Sequence, residues 1–182
     1  MTTEDLIKDF NKKFESRLST YLTKKDIIRI DSFLKNKIGK YIQDIEQLQK
    51  ELFNYKKTKK AKFTDLSTKE YHRSFIACAI GAKYKNLGTF GTSDGYINNF
   101  GNYVSLYKKL QKIGQIGEKS TLRDKDGRSN KVGNCAEVKA SYSLHKKNIT
   151  DFSNIEFTNA YRPRTLQIIE RCNNCKFVFG NV

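Results

Sequence analysis

An α/β fold behind an N-terminal helical hairpin is what this 182-residue sequence predicts. Three observations carry the expectation. Apolar residues recur at three- and four-residue steps through the first 55 positions. A Gly-, Thr- and Asn-rich stretch holds the turn signal Asp94-Gly95. Two cysteine motifs each open a helical pattern, with a strand-like run between them. The chain is long enough for one full domain plus an appendage, and short for two independent cores.

Leu6, Phe10, Phe14, Leu18 and Tyr21 form the first helical series. The second runs from Ile30 through Leu34, Ile38, Tyr41, Ile45, Leu48 and Leu52 to Tyr55, a spacing that resembles a heptad seam. The break falls near Thr23–Asp26. These helices either pack on the domain behind them or form a hairpin that dimerises or binds a partner. The like-charge run "KKTKKAK" at 56–62 marks a boundary. It divides a helical hairpin or linker region, 1–62, from an α/β domain, 63–182.

Ser67 and Glu70 form a capping box for a helix ending near Tyr84, with Tyr71, Phe75, Cys78, Ala79 and Ala82 on one face. Cys78 on that stripe reads as a core cysteine, and His72 off it as a surface residue. Asp94-Gly95 predicts a hairpin flanked by strands at 89–93 and 96–98. A short helix is expected at 104–113, then a polar loop. The "GEKS" of that loop lacks the spacing of a phosphate loop. A helix at 135–146, a strand at 155–161, a further strand at 165–169 and a terminal helix from Cys172 complete the chain.

Hydrophobic residues make up 37% and aromatics 12% of the sequence, which is globular rather than disordered composition. No apolar run is long enough to span a membrane, and "MTTEDLIKDF" has no signal-peptide apolar region. Export would need dedicated machinery or a removed upstream segment. Net charge is +16, with a basic excess in both 1–66 and 67–182. A field of that sign attracts polyanions, although a lysine-rich background composition gives the same excess.

Chemistry concentrates in "GNCAEV" and "RCNNC". A Cys-x-x-Cys at a helix start places two thiolates on one side near the positive helix end, which suits a metal. Cys135, also at a helix start, supplies a third thiolate. Three protein ligands leave zinc one open position, the arrangement of a catalytic site. Glu137, two residues past Cys135, can face that position without binding the metal and move protons there. His145 lies too far along its helix to join, and reads as a partly buried or surface residue.

The order Cys-x-Glu, then Cys-x-x-Cys, resembles the zinc-dependent nucleotide and nucleic acid deaminases. "TSDGYI", "GNCAEV" and "RCNNC" together are similar to the YwqJ-like branch of bacterial toxin deaminases, over residues 67–182. The resemblance implies Zn2+ held by Cys135, Cys172 and Cys175, with Glu137 as proton shuttle. It implies a cytidine deaminase-like three-layer α/β/α fold with a mixed sheet, whose first two strands are the Asp94-Gly95 hairpin. It further implies an antibacterial toxin that acts in the target-cell cytoplasm and travels with a cognate immunity protein. The expected substrate is cytosine or adenine in nucleic acid or nucleotides. Candidate substrate contacts are Thr92, Ser93, Asn134, Tyr161, Arg162, Arg171 and Phe177. Arg171 stands where many deaminases have proline. With three thiolates at the metal, Arg171 or Arg162 is expected to offset the extra negative charge. The alternative is a non-catalytic zinc module binding nucleic acid or protein, with Cys78 or a histidine as fourth ligand.

Overall fold

The computed structural model of the chain describes residues 2–18, 22–59, 71, 73–95, 97, 99–101 and 103–180, with side chains of the long third helix described to residue 51. The N-terminal part holds α1 (Thr3–Leu18), a short α2 (Lys24–Ile27) and α3 (Ile30–Lys59). The break falls where the sequence predicts it, and the Thr23 side chain caps α2 by accepting from the Asp26 amide. In α3 the series Ile30, Leu34, Ile38, Tyr41 and Ile45 is buried as predicted. Tyr21 and the side chains of Leu52, Tyr55 and the 56–62 run lie outside the described residues.

The buried stripe of α1 differs from the predicted one. Ile7 and Asn11 are buried along with Phe14 and Leu18, while Phe10 is half-buried. Asn11 tolerates burial because its amide is satisfied. It accepts from the Tyr41 hydroxyl at 2.9 Å and donates to the Ser74 carbonyl at 2.7 Å. A polar residue therefore sits in the middle of an apolar face and displaces the apparent period by one position.

The largest correction concerns residues 71–84. Ala79–Tyr84 is a strand, β1, paired antiparallel to β2 (Leu87–Thr92) from Ala79↔Thr92 to Tyr84↔Leu87. The capping pair Ser67 and Glu70, and His72, lie outside the described residues. The first hairpin thus turns at Lys85-Asn86, with Lys85 at φ 52, and not at Asp94-Gly95. Gly95, at φ +65, bends the chain after β2 has ended. Tyr96 and Asn98 of the expected second strand lie outside the described residues.

Three two-residue strands complete the sheet: β3 (Glu156–Phe157), β4 (Ala160–Tyr161) and β5 (Ile168–Ile169). Strand order is β2-β1-β4-β5, with β3 also on β1. Every pairing is antiparallel, so the expected mixed sheet is replaced by an antiparallel one. Lys83 and Glu156 face each other across β1 and β3 and pair at 2.9 Å. The remaining helices are α4 (Val104–Gln111), α5 (Ala136–His145) and α6 (Asn173–Phe179), each close to its predicted place.

Helices cover both faces of the sheet. Ala79, Phe90 and Tyr161 share a core cluster with Ile7, Phe14, Leu34 and Ile38 of the N-terminal helices. Ile80, Ala82 and Ala160 pack with Ala136, Ala140 and Leu144 of α5 on the other face. Alternation along β1 and β2 separates the two sets. The α5 side is so close that a Cβ on Gly91 would lie 2.0 Å from the Ala136 carbonyl oxygen and 2.6 Å from the Ala140 nitrogen. Gly91→Ala should therefore lower stability by about 3 kcal/mol or more, read as a fall in Tm, because backbone and not a flexible side chain must move. The start of α5, which carries Cys135 and Glu137, would shift with it.

Candidate metal centre

The end of the sheet where β1 starts and β2 stops is where the cysteine motifs meet. Gly133, at φ +81, turns the chain toward Cys135, which occupies the N-cap of α5 with φ −70 and ψ 145. Cys172 occupies the N-cap of α6 with nearly the same dihedrals, φ −71 and ψ 160. Neither side chain caps its own helix, so both thiols are free to turn outward. Cys175 follows in the first turn of α6, fully buried at 0% exposure.

The Sγ atoms of Cys135, Cys172 and Cys175 all lie within 4.8 Å of one another, and Cys135 and Cys172 are 3.3 Å apart. No disulfide joins them. A tetrahedral zinc with bonds of about 2.3 Å holds its sulfurs about 3.8 Å apart, so the donor set fits the ion. The hydrogen bond with Cys172, then burial, raises Cys135 well above the ordinary thiol range, and burial, then the hydrogen bonds with Cys135 and Cys172, does the same for Cys175. The Cys135 and Cys175 thiols, the Cys175 amide and Asn130 instead bring Cys172 down to about 3. A soft metal binds thiolates, so its binding displaces the thiol protons that remain.

Glu137 is 4% exposed, in the first turn of α5. Burial raises its pKa; its own amide, the Cys175 thiol and the Arg171 guanidinium work in the opposite direction. Arg171 Nε stands 3.5 Å from Glu137 Oε1. The guanidinium also lies over the Phe157 ring and donates to the Gly180 carbonyl. Arg171 is thus aimed at the Glu137 carboxylate.

A cleft of about 730 Å³ opens over this cluster. Cys135, Cys172 and Glu137 line it, as do Ser93, Asn134, Arg162 and Arg171 from the predicted set. Asn134 Oδ1 is buried with no hydrogen-bond partner among the described residues. Three predicted contacts are corrected. The Thr92 hydroxyl faces the N-terminal helices and donates to Glu15. The Tyr161 hydroxyl donates to Asp31, on that same side of the sheet. Phe177, 41% exposed, does not line the cleft. Strand alternation explains the first two, since each points away from α5.

Cys78 is also corrected. It precedes β1 in a loop, is half-buried and lines the cleft. Its amide donates to Ser93 Oγ and its carbonyl accepts from the Ser93 amide. Burial, Glu137 and Cys172 together push its thiol up. His145 is half-buried, stacked on Tyr103 at 4.1 Å, and away from the metal cluster as expected.

The asparagines inside "CNNC" carry no signal of their own in the sequence. Asn173 Nδ2 donates to the Arg123 carbonyl at 2.7 Å, and Asn174 Nδ2 to the Asn130 carbonyl at 3.3 Å. They pin the polar loop between them over the cleft. The spacing of Cys-x-x-Cys, which fixes both asparagines in the first turn of α6, is what could have flagged them. Among the described residues no helix is long and apolar enough to cross a membrane. Compared with family models, curated proteins and solved structures, the chain matches none of them.

Proposed function

We propose that the protein is a zinc-dependent deaminase of cytosine or adenine. The observation that carries this reading is one buried carboxylate, Glu137, in the wall of a cleft beside three convergent thiols. Zinc held by Cys135, Cys172 and Cys175 would supply Lewis acidity and an activated water at neutral pH. The reaction consumes one water, forms a carbon–oxygen bond, breaks the bond to the exocyclic amine and releases ammonia. Glu137 accepts a proton from the water and delivers it to the amine nitrogen. Its burial keeps bulk water from competing, and Arg171 holds the carboxylate in place. Asn134 lines the same cleft beside Cys135. Arg171→Ala should lower kcat at least about tenfold while zinc is retained, with partial recovery in Arg171→Lys.

The charge of +16 favours an anionic substrate, either nucleic acid or a nucleotide. The resemblance to toxin deaminases extends the proposal to an antibacterial effector acting in a target-cell cytoplasm, restrained by a cognate immunity protein. Incubation with cytosine- and adenine-containing single strands and mononucleotides tests the activity. Conversion raises the mass of the base by about one dalton, stops on chelation and returns with zinc. A zinc-loaded protein that converts none of these substrates contradicts the proposal. The reading then left is a non-catalytic zinc module, for which Cys78, on the same cleft wall but outside the three-thiol cluster, is the candidate fourth ligand.

A further inference from the structure

We infer that Cys135 and Cys172 are the oxidation site of this chain: while no metal is bound they close a disulfide, and that disulfide excludes zinc. The inference rests on the metal reading for what is excluded, and on geometry alone for which thiols pair. The two sulfurs stand 3.3 Å apart and are not bonded. That separation lies between two end states. A disulfide draws its sulfurs to about 2.05 Å. A shared tetrahedral zinc sets them about 3.8 Å apart. A disulfide sulfur is no longer a thiolate, so one bond removes two of the three ligands.

Sequence spacing alone favours a different pair. Cys172 and Cys175 form the Cys-x-x-Cys and close the shortest loop. The fold favours Cys135 instead. Cys135 and Cys172 both sit at helix N-caps in extended backbone, and neither side chain caps its helix. Both line the cleft, where a small oxidant reaches them, whereas Cys175 is fully buried and does not line it. Cys78 lines the cleft too, but stands outside the three-thiol cluster. Cys135 and Cys172 are 37 residues apart in sequence, so it is the folded chain that brings them together. The oxidant is a peroxide. Cys172, the more exposed of the two, attacks it first. The O–O bond breaks, Cys172 becomes a sulfenic acid and one water leaves. The Cys135 sulfur then attacks the Cys172 sulfur. The S–S bond forms, the S–O bond breaks and a second water leaves. Two electrons and two protons pass from the thiols to the peroxide, and a thiol reductant reverses the change by exchange.

The test uses the full-length chain, stripped of metal by a chelator under reducing conditions and then freed of both reagents. Stoichiometric hydrogen peroxide should lower its mass by about 2 Da, the two hydrogens removed. A digest without reductant should join the peptides that hold Cys135 and Cys172. Zinc uptake should fall at least about tenfold, and a thiol reductant should restore it. Zinc bound beforehand should slow the bridge at least about tenfold, because it holds both thiolates. Cys175→Ser should still form the bridge, and Cys135→Ser should not. A bridge between Cys172 and Cys175, a bridge to Cys78, oxidation without any bridge, or a bridged chain that takes up zinc as well as the reduced one overturns the inference. An unfolded metal-free chain would show itself by the first of these, since the shortest loop then closes most readily. A reduced chain that takes up no zinc contradicts the metal reading instead, and the peptide map still decides the pairing. Base conversion enters none of these measurements, so the deaminase proposal is scored apart from them.

Discussion

Glu137→Gln should abolish base conversion, by about 10³-fold or more in kcat, while the protein still binds one zinc per chain. General acid–base groups contribute about 10²–10⁴-fold, and this carboxylate is asked to act in both directions within one turnover. Glutamine keeps the shape and loses the proton. The substitution also removes the partner of Arg171, which is 12% exposed and would be left as a nearly buried cation. Tm is therefore expected to fall modestly, and kcat must be compared at a temperature where both proteins are folded. Full activity in a folded, zinc-loaded Glu137→Gln protein would remove this residue from the chemistry.

The second large effect is structural. Deleting residues 1–62 should leave the remainder unable to fold, and so without metal affinity. The sheet face opposite α5 is covered by α1 and α3, and Ala79, Phe90 and Tyr161 share their core with those helices. Phe14, Leu34, Ile38 and Tyr41 are each buried to 1% or less. Side chains of this size stabilise by about 1.5–3 kcal/mol apiece, against a typical total stability of about 5–15 kcal/mol. Polar ties cross the same boundary, among them Thr92 to Glu15, Tyr161 to Asp31, Asn11 to the Ser74 carbonyl and the Leu22 amide to the Gly88 carbonyl. Far-ultraviolet circular dichroism and zinc content of the truncated chain decide the matter. A folded, zinc-binding truncation would show that the helices are an appendage and not one wall of the core.

The same double coverage explains what the sequence showed and what it concealed. Amphipathic helices announce themselves through a polar face, so α3 is legible from spacing alone, whereas α5, buried on most sides, is legible from the Gly-Asn turn before it. A strand covered on both faces has no polar face, and β1 reads as "AIGAKY", short, small and apolar. Such a run fits a helical stripe as well as a strand. Its small residues are a consequence of packing, since a Cβ on Gly81 would meet the Thr158 and Ile30 side chains at 2.9 and 3.0 Å. The turn after it lacks an Asn-Gly signature, because Lys85 itself takes the left-handed conformation. The metal cluster was legible for a different reason. Cys135, Glu137, Cys172 and Cys175 are fixed relative to two helix starts, and helix starts are local events. Thr92 and Tyr161 were misplaced because which face a strand residue takes depends on what packs against the sheet. The anchoring of the polar loop at Arg123 and Asn130 was hidden because nothing local records that asparagines 50 and 44 residues later hold those carbonyls.

The proposed zinc site is open, with three thiolates, and Cys78 on the same cleft wall is what could close it. X-ray absorption at the zinc edge of the purified full chain reads the coordination directly. Three sulfurs at about 2.3 Å and one oxygen at about 2.0 Å are expected, unchanged in Cys78→Ala. Four sulfurs in the wild type, falling to three in Cys78→Ala, would contradict the open site.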